Sequence, residues 1–152
     1  MKIQTVIVAA TAICLLAVTA SSALAANFEV LMLNKGTDGT TMGFSPSFLQ
    51  IEPGDSVTFI PIDKGHNSET ILDMIPPDAK TWAGKKDEKF TVTLTVEGLY
   101  GFKCSPHFTM GMVGLIQVGN SRSNLTEMLS VHLPDRAQGR MAELFAKTSP
   151  RK

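Results

Sequence analysis

Cys104, His107 and Met112 fall within nine residues, in the run Cys104-Ser105-Pro106-His107-Phe108-Thr109-Met110-Gly111-Met112, and His66 lies upstream of them. A thiolate, two imidazoles and a thioether are soft or borderline donors, which favour copper, zinc or iron over magnesium or calcium. Two nitrogens, one thiolate and one weak thioether point to copper. Trigonal coordination by two His and one Cys with a long axial Met is acceptable to both Cu(II) and Cu(I), so little bond rearrangement raises the barrier to electron transfer. Catalytic zinc would instead need an open position with an acid or base beside it. The ligand run contains no carboxylate.

The chain that must position these residues has 152 of them, enough for one domain and few for two. Its start has the pattern of a leader: Lys2 is followed by an apolar run over 5–18 and by Ala23-Leu24-Ala25, a small-residue cleavage pattern. The expected division is therefore a signal peptide over 1–25, removed on export, and a single domain over 26–152. The apolar run is too short for a permanent bilayer span. Of the two cysteines, Cys14 falls in the leader, so the exported chain keeps Cys104 alone and no disulfide can form within it. An unprotected thiol in an oxidising compartment climbs the oxidation ladder, whereas a metal holds it as a shielded thiolate. Basic and acidic side chains balance at 14 each, which implies neither nucleic acid nor an anionic membrane as partner.

The apolar pattern is mainly that of strands. Alternation over 28–34 is broken by Lys35-Gly36-Thr37-Asp38-Gly39, and short strands are expected over 48–51 and 57–62 around the turn Pro53-Gly54-Asp55. Residues 90–96 alternate strictly, 99–104 follow a Glu97-Gly98 turn, and 113–118 close the series. Short strands at this spacing predict a β-sandwich. The tail differs: Asn124 with Glu127 has the form of a capping box before Leu125, Met128 and Leu129, and Pro134 opens a second helix. In that helix Ala137, Met141, Leu144 and Phe145 recur at helical spacing, a face suited to cover an open side of the sandwich.

These residues carry a family resemblance. Gly65-His66-Asn67, Cys104-Ser105-Pro106-His107 and Gly111-Met112 resemble the pseudoazurins, blue copper proteins of the periplasm. The likeness extends through Asn34-Lys35-Gly36, Pro53-Gly54-Asp55, Thr58-Phe59-Ile60-Pro61 and Asp73-Met74-Ile75-Pro76. The resemblance implies a mainly β, cupredoxin-like Greek-key sandwich with two C-terminal α-helices. It also implies one type 1 copper held by His66, Cys104, His107 and Met112, and a periplasmic, non-enzymatic electron shuttle. The implied partners are redox proteins, typically nitrite or nitrous oxide reductase, or c-type cytochromes. They would dock near His107, where Lys35, Lys64 and Lys103 match family positions and would steer acidic partners. A monomer is expected, since a dimer through this face would hide the exit.

Two methionines compete for the axial place. Met110 would give the short ligand loop of amicyanin-like carriers, which serve an amine dehydrogenase; Met112 gives the longer loop of plastocyanin and pseudoazurin, and it opens the last strand, where backbone pairing can fix its sulfur. Met112 is the expected ligand, with Met110 and Met42 as apolar contacts. Asn67 is expected to give a backbone N–H to the Cys104 sulfur and to tie its side chain near Ser105. His132, in the tail, is expected to be solvated or to pack on a helix. Competing functions are a copper-carrier module, which would favour Met-rich or multiple-Cys motifs and exchangeable metal, and a zinc-bound structural domain. A small copper oxidase is disfavoured because the site has no open coordination position.

Overall fold

The computed structural model describes residues 24–36 and 38–148, so the leader expected over 1–25 lies, except for its last two residues, outside the described residues. Eight strands are ordered along the chain as β1 Asn27–Lys35, β2 Thr41–Ser45, β3 Phe48–Ile51, β4 Ser56–Pro61, β5 Glu69–Thr70, β6 Phe90–Thr93, β7 Gly98–Lys103 and β8 Val113–Val118. A 3-10 helix, Ser105–Met110, separates β7 from β8, and two α-helices follow, α1 Leu125–Leu129 and α2 Asp135–Phe145. The strands form two four-stranded sheets, in the orders β2-β1-β4-β6 and β3-β8-β7-β5. β1 runs parallel to β4 and β3 parallel to β8, and the remaining pairs are antiparallel. This is the β-sandwich that the apolar alternation predicts.

Turn chemistry sets the β3–β4 connection. Gly54 has φ 97°, and the Asp55 N–H donates to the Glu52 carbonyl across Pro53-Gly54, a turn in which Pro presets the first corner and only glycine enters the second without strain. The Asp55 carboxylate then accepts the backbone N–H groups of Ala26 and Glu52, which locks the start of β1 beside β4. Between the sheets, Phe44, Phe59 and Phe102 meet edge to face, with Phe44 and Phe102 centroids 4.8 Å apart. Tyr100, Phe102 and Cys104, at alternate positions, all face this interior. The thiol thus projects from the same wall as the aromatic core.

β8 is buried along its whole length because both of its faces are covered. Ile116 and Val118 join the aromatic core, whereas Val113 and Leu115 meet a second cluster that contains Met128, Met141 and Leu144 of the two helices. The apolar stripe of α2 lies where its spacing predicts, across the outer face of the β8 sheet and against the 3-10 helix. Each fully buried Leu, Met or Phe on that stripe contributes about 1.5–3 kcal/mol.

The capping box expected at Asn124 does not form. Asn124 stands at the N-cap of α1, but its amide turns inward, accepting from the Leu99 N–H at 3.0 Å and donating to the Leu99 carbonyl at 2.9 Å. It satisfies the edge of β7 at a point that β5, only two residues long, does not reach. Burial explains the change: an orphaned backbone pair inside the fold costs more than a surface cap gains. The strand expected over 90–96 ends at Thr93, since the Leu94 backbone turns to pair with Gly54 and Asp55. Among the described residues, no helix is long and apolar enough to cross a membrane.

Candidate metal centre

His66 sits in the loop after β4, on a backbone bent at Gly65, where φ is 95°. Asp87 holds this loop from the other side: its carboxylate accepts the Gly65 N–H at 2.6 Å, and its own N–H donates to the His66 carbonyl at 2.8 Å. The Asp87 carboxyl is kept below its ordinary range chiefly by that Gly65 N–H. The His66 ring is fully buried, and its Nε2 lies 3.0 Å from Asn34 Oδ1. An amide oxygen can only accept, so Nε2 carries the proton and Nδ1 presents its lone pair inward. Burial, and then the neighbouring His107, push the His66 pKa down, which favours the neutral ring a metal needs.

Cys104 directly follows β7 and Met112 immediately precedes β8, and the Cys104 N–H donates to the Met112 carbonyl at 3.0 Å. Between them the 3-10 helix folds the chain back: the His107 N–H reaches the Cys104 carbonyl, and the Met112 N–H reaches the His107 carbonyl. His107 breaks helical geometry within that segment, with φ −118° and ψ 20°. The result places His66 Nδ1 at 3.7 Å and His107 Nδ1 at 3.5 Å from Cys104 Sγ. Among the described residues, the ligand atoms of His66, Cys104 and His107 all lie within 4.8 Å of one another. Met112 is fully buried in the same core cluster as Cys104, whereas Met110 is half-buried. Three of the four expected residues, His66, Cys104 and His107, thus have their ligand atoms brought together, and Met112 shares the buried core with Cys104.

The donor set fits copper. Three soft or borderline donors converge, two of them fully buried, with no carboxylate among them, and the Asn34 contact keeps the proton off the His66 nitrogen nearest the sulfur. Burial pushes the Cys104 thiol up, while backbone N–H groups of Asn67 and His107 pull it down, so the pocket already contains dipoles aimed at a thiolate. Asn67 is placed as expected: besides that backbone contact, its Oδ1 accepts the Ser105 N–H at 2.8 Å. His107 is the half-buried member of the set, next to exposed Ser105 and Pro106. His132 is exposed and is not among the residues whose ligand atoms converge.

Three supports were not legible in the sequence. Asn34 is one. The second is Glu69, whose carboxylate accepts from Ser105 Oγ, from Lys103 Nζ at 3.3 Å and from Asn67 Nδ2 at 3.3 Å. Burial alone would raise the Glu69 pKa, but the Ser105 hydroxyl and then Lys103 outweigh it and hold the carboxyl below its ordinary range. Glu69 and Lys103 are directly opposed across β5 and β7, a pairing visible only once the two-residue β5 is known. The third is Arg140 on α2, which donates to the Gly111 carbonyl in the ligand loop and to the Thr41 and Met42 carbonyls of β2. The Lys103 ammonium, expected to help steer partners, is also engaged by Glu69 and lies 4.7 Å from the Phe108 ring centroid. Lys35 and Lys64 are exposed.

Comparison with known proteins places this geometry. Residues 30–119 match the copper binding proteins of the plastocyanin/azurin family. A pseudoazurin of Paracoccus pantotrophus is 48% identical over 137 residues, covering 90% of this chain and 93% of the relative. The crystal structure of pseudoazurin from Methylobacterium extorquens AM1 superimposes with a TM-score of 0.76 at 44% identity, covering 80% of this chain and 98% of that one. That of Hyphomicrobium denitrificans pseudoazurin gives 0.75 at 37% identity, over 80% of this chain and 97% of the other.

Proposed function

The chain belongs to the plastocyanin/azurin family of copper-binding proteins, among the pseudoazurins, and on that premise we propose that it is a periplasmic shuttle delivering single electrons to a reductase such as nitrite reductase. Its cofactor is copper, and its family is one of copper electron carriers. The proposed ligands are His66, Cys104, His107 and Met112. Copper bound there would supply a one-electron couple between Cu(II) and Cu(I). The observation that carries the reading is the convergence of the His66, Cys104 and His107 ligand atoms within 4.8 Å, with one imidazole buried and the other at the rim.

Each residue then has a physical task. His66 is fixed by Asn34 and by the loop that Asp87 holds, so it keeps its place whatever the charge beside it. Cys104 is fixed by its backbone bond to Met112 and by the Asn67–Ser105 contact. Fixed donors keep rearrangement small when charge changes. Burial excludes water, and His107 at the rim provides the short path outward for the electron. Four protein donors would leave copper no open position for a substrate, which supports a carrier rather than an enzyme. The leader over 1–25 and a mature domain over 26–152 belong to the same proposal, and they supply the export that a periplasmic role requires.

Docking near His107 would be steered by Lys35 and Lys64. Electron transfer to an acidic reductase should slow as salt rises, since exposed charges are screened over about 10 Å at 0.1 M ionic strength. Stopped-flow rates across a salt series should show a shallower slope for Lys35→Ala and for Lys64→Ala. Lys103→Ala should change the slope less, because Glu69 already neutralises part of its charge. Equal slopes in wild type and in both exposed-lysine variants would remove these lysines from docking.

A further inference from the structure

Arg140 projects from the middle of α2 and joins three backbone carbonyls that belong to two different segments. Its Nη1 donates to the Gly111 carbonyl at 2.7 Å and to the Met42 carbonyl at 3.0 Å, and its Nη2 donates to the Thr41 carbonyl at 3.0 Å. Gly111 directly precedes Met112 and closes the 3-10 helix in a left-handed conformation, with φ 87°. Met42 is itself left-handed, at φ 52°, a conformation that a methionine adopts only against a steric cost. One guanidinium therefore ties a strained point of β2 to the turn that places Met112.

The neighbouring turn of α2 tightens the same contact. A side chain on Gly111 would come within 3.0 Å of the Arg136 carbonyl oxygen, so helix and turn meet backbone to backbone. Beyond the turn, the Met112 carbonyl receives the Cys104 N–H. A displacement at Gly111 would pass through Met112 directly to the residue bearing the thiolate. A planar guanidinium can serve both carbonyls at once, while a lysine ammonium is a single point donor on a flexible stem.

Resting on the proposed ligand set, we propose that Arg140 is a positioning residue of the metal centre, clamping the Gly111-Met112 turn against β2 so that Met112 stays in place when the copper changes oxidation state. The C-terminal helix is then part of the machinery that keeps rearrangement small, in addition to covering the sheet.

The test uses Arg140→Met, which keeps the apolar stem, Arg140→Lys, which keeps the charge, and Leu144→Ala, which cuts the buried face of α2 away from the clamp. Loss of a charged donor to a buried carbonyl should speed amide exchange at Gly111 and Met112 in the metal-free protein by about tenfold. In the copper-loaded protein, electron self-exchange should slow by about tenfold and the visible spectrum should change in relative band intensities. Arg140→Lys should fall between wild type and Arg140→Met. Leu144→Ala should lower the denaturation midpoint while leaving spectrum and self-exchange as in wild type. If copper-loaded wild type is intensely coloured and both Arg140 variants keep its spectrum, self-exchange rate and amide exchange, the clamp is overturned while the ligand set stands. A pale wild type would overturn the ligand set and the clamp together.

Discussion

Cys104→Ser should abolish the intense visible absorption of the copper-loaded protein. That absorption needs charge transfer from a thiolate to Cu(II), and a serine hydroxyl at the same position offers a harder oxygen that copper binds weakly. The fold should survive. The Cys104 N–H still reaches the Met112 carbonyl, the Asn67–Ser105 contact remains, and the side chain changes by one atom. A stability loss of about 1–2 kcal/mol is expected from placing a hydroxyl among the apolar residues of the core. Circular dichroism and denaturant unfolding separate this from collapse. Strong colour retained in a folded Cys104→Ser protein would contradict the assignment of the thiolate.

Gly114→Ala should be the most damaging small substitution near the site. Gly114 lies directly opposite Phe102 in the β7–β8 ladder, and a Cβ there would overlap the Phe102 ring. No methyl group fits without moving that ring, and Phe102 is packed against Phe44 and Phe59 and stands two residues before Cys104. Overpacking of this kind costs about 1–3 kcal/mol, and sometimes more. The visible spectrum of the variant should shift as well, because β7 runs directly into Cys104. Gly139→Ala in α2 should do the reverse: nothing lies within 4 Å of the added carbon, and helix propensity then gains up to about 1 kcal/mol. Urea midpoints of the two variants measured side by side would check the contrast, and equal midpoints would show that Phe102 relaxes freely.

Much of this arrangement is legible in the residue order because its signals are local. The Cys104-to-Met112 run keeps its ligands close in sequence, the strands β3 and β8 fall on the short runs where they are expected, and the stripe of Ala137, Met141, Leu144 and Phe145 fixes the buried face of α2. β2 escaped notice because its run Thr-Met-Gly-Phe-Ser has only two apolar side chains, carries a glycine at its centre and bends at Met42. β5 is two residues long and exists only by pairing with β7. The supports of the site are hidden for the same reason: Asn34 meets His66 across 32 residues, Glu69 meets Ser105 across 36, and Arg140 meets Met42 across 98. Spacing within a motif cannot report contacts that the fold itself creates. Asn124 shows the opposite error, a local capping signal overridden by the buried backbone of Leu99.

Stepwise anaerobic reduction of the Cu(II)-loaded protein, followed by visible absorption, bears most directly on whether these residues hold a one-electron copper couple. An intense band should bleach in proportion to one electron per chain and return unchanged on reoxidation, because the donors held by Asn34, Asn67 and the Cys104–Met112 backbone bond keep their places in both states. A weak band, a requirement for more than one electron, or loss of metal on reduction would contradict it.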